Sequence, residues 1–180
     1  VKKPFLPMLL MLLMLLLAGC TEAKLTQDQE AQKEVIEAQV QAMAEPEKVY
    51  PIYDIPMPAE LQKYTYDLCE EYRLSYELVL GVIYTESRFI ETANSGSSQG
   101  LMQISRGTGG WVSEEVRIRD FDPFDPRQNI AVGVWYLNYL RDYWSNHGYS
   151  DEDTFSLMLI SYNRGITGCK EYVKKIWARK

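Results

Sequence analysis

Histidine is nearly absent from this chain and cysteine is scarce: one His and three Cys in 180 residues. The single histidine, His147, has no motif around it, so a cysteine–histidine pair for thiol catalysis is a poor fit. No Cys/His spacing suits zinc, so neither a metal nor a cofactor is expected. Clusters of Lys and Arg are also missing. A nucleic-acid binder needs a basic patch, whereas 19 Lys+Arg face 25 Asp+Glu here, a net charge of −6. Nucleic acid is therefore not an expected partner. There is no internal repeat, and no apolar run reaches the about 20 residues that span a bilayer. The length suits one compact domain plus an anchor and is short for two domains.

The apolar run that does occur, Met8 to Leu17, follows Lys2 and Lys3 and precedes Leu17-Ala18-Gly19-Cys20. Basic residues, a short apolar stretch and a small-residue cut site make a secretory signal. Leu-Ala-Gly-Cys resembles the lipobox of bacterial lipoproteins, which implies a signal peptide over 1–19 and a lipid on Cys20. Its removal leaves 17 Lys+Arg and a net charge of −8. The expected location is outside the cytoplasm, lipid-anchored to a bacterial cell membrane (the outer membrane in a cell with two). Residues 20–55 are expected to be a tether. Thr21 to Glu47 is rich in Gln, Glu, Ala and Lys, with Val35, Ile36, Val40 and Met43 only loosely helical in spacing. Pro46, Pro51, Pro56 and Pro58 then interrupt regular structure. As a coil this tether reaches roughly 30 to 35 Å. Export permits a disulfide between Cys69 and Cys169; two separate buried thiols are the favoured reading.

The domain, 56–180, is expected to be mainly α. Leu61, Tyr64, Leu68 and Tyr72 form one helical stripe from about Glu60. Ser75 can cap a second helix with Glu77 in its first turn. Asp125-Pro126 opens a longer, central helix running to about Trp144. A fourth follows Ser150, and a fifth carries Cys169, Tyr172, Val173, Ile176 and Trp177 on one face. Asn94 to Gly110, crowded with Gly and Ser, reads as loops or a small hairpin. Thirteen Tyr and four Trp are many for this length. Such rings can hold sugars, although filling the core is their more frequent role.

The second helix holds an anomaly. Val79, Val82 and Ile83 define its buried face, and Glu86 falls seven, four and three residues later, on that same face. Desolvation disfavours a carboxylate's charged form and raises its pKa. A carboxylic acid still protonated near neutrality can protonate the leaving oxygen of a glycosidic bond. The alternative is a helix-end Glu bonded to nearby backbone or paired with Arg88, and the helix alone leaves both open.

The flanking residues add a pattern. Glu86-Ser87-Arg88-Phe89, Gly100-Leu101-Met102-Gln103-Ile104, Asp125-Pro126 with Asn129-Ile130, and Tyr162-Asn163-Arg164-Gly165 follow in that order. The series resembles the SLT-type lytic transglycosylases, with their goose-lysozyme-like α+β fold, from about Glu60 to Trp177. The resemblance implies peptidoglycan glycan strands as the partner and Glu86 as the single acid/base. Substrate contacts fall on Ser87, Ser95, Gly100, Leu101, Met102, Gln103, Tyr162 and Asn163, with the Tyr162 hydroxyl near the catalytic carboxyl. The loop from Glu86 to Gly100 is one residue short of the family pattern, so the positioning serine falls on Ser95 counted forward or on Asn94 counted back. Arg164 stands where alanine is usual.

Ordinary glycosidases use two carboxylates. Glu91, Asp120, Asp122 and Asp125 are the other acids available, but the resemblance assigns none of them to catalysis, and Asp125 is better explained as a helix cap. With one carboxylate, the substrate's own N-acetyl group can attack the anomeric carbon, and the muramic 6-hydroxyl can close a 1,6-anhydro ring. The alternatives are a hydrolytic muramidase of the same fold and a non-catalytic glycan-binding lipoprotein.

Overall fold

The computed structural model describes residues 32–38 and 48–177. The expected signal peptide, its lipobox and Cys20 lie outside the described residues. The chain divides into Val1–Val49 and Tyr50–Lys180. In the first unit, residues 32–38 form a short exposed helix in which Lys33 pairs with Glu37 at 3.7 Å.

The second unit is built from α1 (Ala59–Tyr72), α2 (Tyr76–Ser87), the strands β1 (Ser98–Gln99) and β2 (Ile104–Ser105), α3 (Arg106–Glu115), α4 (Pro126–Ser145) and α5 (Asp151–Trp177). Ser75 caps α2 by accepting from the Leu78 N–H at 3.2 Å, and Asp125 caps α4 by accepting from the Gln128 N–H at 2.9 Å, with Pro126 just inside. Both caps match the expectation. The strands form an antiparallel hairpin pairing Ser98 with Ser105 and Gln99 with Ile104. The expected loop segment ends sooner than its glycines suggest. Ser105 accepts from the Thr108 N–H, and that cap starts α3 at Arg106 despite Gly107, Gly109 and Gly110. The fourth and fifth helices meet end to end in α5, broken by non-helical Gly165 (φ 69°, ψ 164°). Only glycine adopts that conformation without strain.

Helix α4 is central, touching α1, α3, α5 and β2. Its Ile130, Val132, Val134, Leu137 and Leu140 are fully buried against Val79 and Ile83 of α2 and Leu101, Met102 and Ile104 of the hairpin. Each such side chain contributes roughly 1.5–3 kcal/mol on leaving water. The α1 stripe sits differently from its expected line: Leu61, Gln62, Thr65 and Cys69 are buried, while Tyr64, Leu68 and Tyr72 are half-buried. Gln62 explains the shift. Its amide donates to the Tyr53 and Met57 carbonyls and accepts from the Tyr53 N–H and Tyr76 O–H. Those bonds bring Tyr53 to Met57 onto the domain, a stretch expected mostly in the tether. In α5, of the residues expected on one face, Cys169 is buried and Val173 half-buried, while Tyr172 and Ile176 are exposed. Cys69 and Cys169 are free thiols in separate core clusters, and burial pushes the Cys69 thiol up to about 12.

Candidate active site

Glu86 lies one residue from the end of α2. Val79 and Ile83 below it are fully buried and Val82 nearly so, and Glu86 emerges half-buried at the edge of that face. Its carboxyl is raised above the ordinary carboxylate range, and desolvation is the cause. Among the described residues no cation pairs with it. Arg88, the alternative partner, turns its guanidinium over the Tyr84 ring at 4.2 Å. Arg88 and Phe89 both take left-handed backbone angles (φ 55° and 62°), a conformation costing about 1–2 kcal/mol per residue. They swing the chain away just past Glu86 and leave its carboxyl open.

A cavity of about 400 Å³ opens between α2 and α5, lined by Glu86, Gly81, Val82, Thr85, Tyr162 and Asn163 among others. Tyr162 and Asn163 also line a second cavity of about 230 Å³, whose other walls include Ser98, Gln103, Thr108, Tyr136 and Gly165. Tyr162 and Asn163 thus border both spaces, and Glu86 borders the first. A third cavity of about 410 Å³, near Arg73 and Arg141, holds none of the expected site residues.

Tyr162 is half-buried, and its hydroxyl donates to the Met102 carbonyl at 2.8 Å. Its pKa is raised far above the usual phenol value, first by burial and then by the charge of Glu86. Tyr162 therefore senses the charge of Glu86, although the phenol proton is held by Met102 rather than by the carboxylate. Met102 is in turn fixed by Asn129, whose side chain accepts from the Met102 N–H at 2.8 Å and donates to the Gln99 and Pro123 carbonyls. Gly100 (φ 79°) lies so close that a Cβ there would run into the Pro123 carbonyl and the Asn129 amide. Gln103 spends both amide protons on the Ala93 and Gly100 carbonyls and lines the second cavity.

Several expected contacts lie elsewhere. Ser87 is buried, and its hydroxyl donates to Ile83 within its own helix at 3.0 Å. Leu101 and Met102 are core side chains at 1% and 0% exposure, and Met102 reaches the site only through its carbonyl, bonded to Tyr162. Ser95 closes the turn before β1 through Ser98, and Asn94 accepts from the Gly96 N–H; neither lines either of these two spaces. Ser98 lines one instead. Arg164 lies over the Tyr172 ring at 5.4 Å and lines neither space. Asp125 is the α4 cap and Asp122 accepts from the Phe124 N–H, so among the described residues Glu86 is the only carboxylate lining these two cavities. Among the described residues no group of His, Cys, Asp or Glu is arranged to hold a metal. Asn129, Ser98 and Tyr136 were not singled out as site residues. Asn129 had a signal, a polar side chain entering an apolar helix.

A mainly helical, lysozyme-like domain with one desolvated carboxyl on its groove is the class that fold and site define. The family model described as transglycosylase SLT domain matches residues 65–179. The chain belongs to that family. It is 31% identical over 102 residues to the membrane-bound lytic murein transglycosylase C of Yersinia enterocolitica, covering 53% of this chain and 28% of the relative. It is 37% identical over 101 residues to the membrane-bound lytic murein transglycosylase F of Desulfosudis oleivorans, covering 53% and 20%. The chain thus matches less than a third of the length of these relatives. The solved structure of an inactive mutant of lytic transglycosylase Slt from Pseudomonas aeruginosa superposes with a TM-score of 0.55, at 22% identity, over 67% of this chain and 19% of that one. That likeness concerns the fold.

Proposed function

We propose that this chain is a peptidoglycan lytic transglycosylase that cleaves the β-1,4 bond between N-acetylmuramic acid and N-acetylglucosamine, with Glu86 as acid and then base. The observation carrying this reading is Glu86 itself: among the described residues, a desolvated carboxyl without a cationic partner and the one acid on a groove it shares with Tyr162 and Asn163. Protonated Glu86 gives its proton to the glycosidic oxygen while the muramic acetamido oxygen attacks the anomeric carbon. The bond to the leaving sugar breaks and an oxazolinium ring forms. Glu86, now charged, takes the proton of the 6-hydroxyl, whose oxygen attacks the same carbon and reopens the oxazolinium. The product is a 1,6-anhydro ring, and no water is consumed. An intramolecular hydroxyl has an effective concentration on the order of 10⁵ M or more when well oriented, which favours ring closure over hydrolysis. Tyr162 and Asn163 hold the sugar beside the carboxyl, and the Asn129–Met102–Tyr162 chain of bonds sets the position of Tyr162. The Leu-Ala-Gly-Cys box and the membrane-bound relatives support an exported enzyme anchored through lipid on Cys20, with residues 1–19 removed.

Digesting purified peptidoglycan with residues 21–180 in ¹⁸O-labelled water tests the mechanism. Unlabelled 1,6-anhydro-muramic ends are expected. Reducing ends carrying ¹⁸O would identify a hydrolytic muramidase. Binding without any cleavage would identify a glycan-binding lipoprotein.

A further inference from the structure

The proposed chemistry leaves unused the largest aromatic patch of the domain. Tyr136 lines the smaller cavity and leans on Tyr162 with 5.7 Å between ring centroids. Along α4 it lies nearly parallel to Tyr139, which lies nearly parallel to Trp135. Trp111 of α3 stands close to perpendicular to all three, at 4.9 Å from Tyr139, 5.5 Å from Trp135 and 6.2 Å from Tyr136. Three edge contacts hold the indole in place, yet 39% of the residue stays exposed. Trp111 also follows Thr108, a wall of the same cavity, by three residues, the spacing that shares one helix face. Cavity and exposed indole are therefore neighbours on α3 and are bridged by Tyr136 on α4.

A single exposed apolar side chain ordinarily needs no explanation. This one is packed against three rings, and the adjoining cavity offers the Ser98 hydroxyl and the Asn163 amide. Small-ligand sites combine aromatic walls with a few placed polar groups. A pyranose presents the complementary surface, an apolar C–H face rimmed by hydroxyls. A ring already held by its neighbours also loses little freedom on binding.

We propose that Trp111 is a stacking platform for a sugar of the glycan strand lying outside the smaller cavity, next to the sugar that the cavity's polar groups receive. The proposal rests on the glycan-cleaving reading above and adds a residue that sets strand-length preference. Binding at a remote ring adds affinity shared by ground and transition states, so it moves KM rather than kcat.

The test compares wild type, Trp111→Ala and Trp111→Phe on glycan strands of graded length. For long strands Trp111→Ala should raise KM about tenfold, with kcat unchanged. The shortest cleavable oligosaccharide should be processed as by wild type, and Trp111→Phe should restore most of the loss. Equal slowing on short and long substrates, or an unchanged length dependence, would make Trp111 a packing residue and overturn the proposal. If wild type cleaves no glycan, the catalytic reading fails, and binding decides this one separately. N-acetylglucosamine oligomers should then change the tryptophan fluorescence of Glu86→Gln and leave that of Glu86→Gln carrying Trp111→Phe unchanged. The same response from both proteins, or none from either, would sink the platform.

Discussion

Replacing Asn129 with alanine should both weaken the domain and disarm its groove. The side chain is fully buried and makes three hydrogen bonds, one from the Met102 N–H and two to the Gln99 and Pro123 carbonyls, at 2.8–3.0 Å. At about 1 kcal/mol net for each bond, the loss begins near 3 kcal/mol, and the stranded Met102 N–H in the core takes it towards about 5. Domains of ordinary stability have about 5–15 kcal/mol in total, so the variant should fold but lie close to its limit. The urea midpoint should fall by roughly 1–3 M. Peptidoglycan clearing should fall as well, measured well below that midpoint, because Met102 offers the carbonyl that holds the Tyr162 hydroxyl. Asn129→Asp should rescue poorly near neutrality, since it keeps the acceptor for Met102 but aims a carboxylate oxygen at two carbonyls. An Asn129→Ala protein whose midpoint lies within about 0.3 M of wild type would refute the reasoning. It would mean that water or repacking replaces all three bonds.

Glu86→Gln should lower glycan cleavage by about 10²–10⁴ while preserving the fold. It should also be the more stable protein at neutral pH. Folding raises the Glu86 pKa by desolvation, so wild-type stability relative to the variant declines as pH rises from the unfolded pKa through the folded one. Melting curves near pH 4 and pH 7 check the sign; a gap that widens towards acid would contradict it. Tyr162→Phe should cost about 1 kcal/mol of stability through the Met102 carbonyl and reduce kcat more than it raises KM, since the phenol borders the reacting carboxyl. A change in KM alone would reduce Tyr162 to a sugar platform. Cys20→Ser should move the protein from the membrane to the soluble fraction with its domain still active. Fatty-acid analogue labelling of wild-type cells tests this, and no incorporation would exclude the anchor.

Local chemistry carried much of the architecture into the sequence. Ser75 and Asp125-Pro126 mark helix starts because capping depends on the residue itself and its next three neighbours. Val79, Val82, Ile83 and Glu86 share a face because helical spacing allows nothing else. The same spacing made the desolvation of Glu86 legible before any tertiary contact was known. What failed depended on neighbours distant in the chain. α3 escaped notice because Gly107, Gly109 and Gly110 argue against a helix, while packing of Val112 into the core and the Ser105 cap argue for one. Tyr53 to Ile55 read as tether because the attachment of this stretch lies in the buried amide of Gln62. Ser87, Leu101 and Met102 sit within motifs that flank the groove, but motif position does not state which way a side chain points.

The sequence by itself determined a mainly helical domain, its helix starts and the one carboxyl placed on an apolar face, because caps and periodicity act within a few residues. Only the structure decided that Arg88 turns to Tyr84, so that Glu86 has no cationic partner among the described residues. It also decided that Tyr162 gives its proton to Met102, and that Asn129 ties the hairpin to α4. The last two depend on groups separated by loops or helices whose paths are set by packing, and the energy of such a hydrogen bond exists only once those paths have brought the groups together.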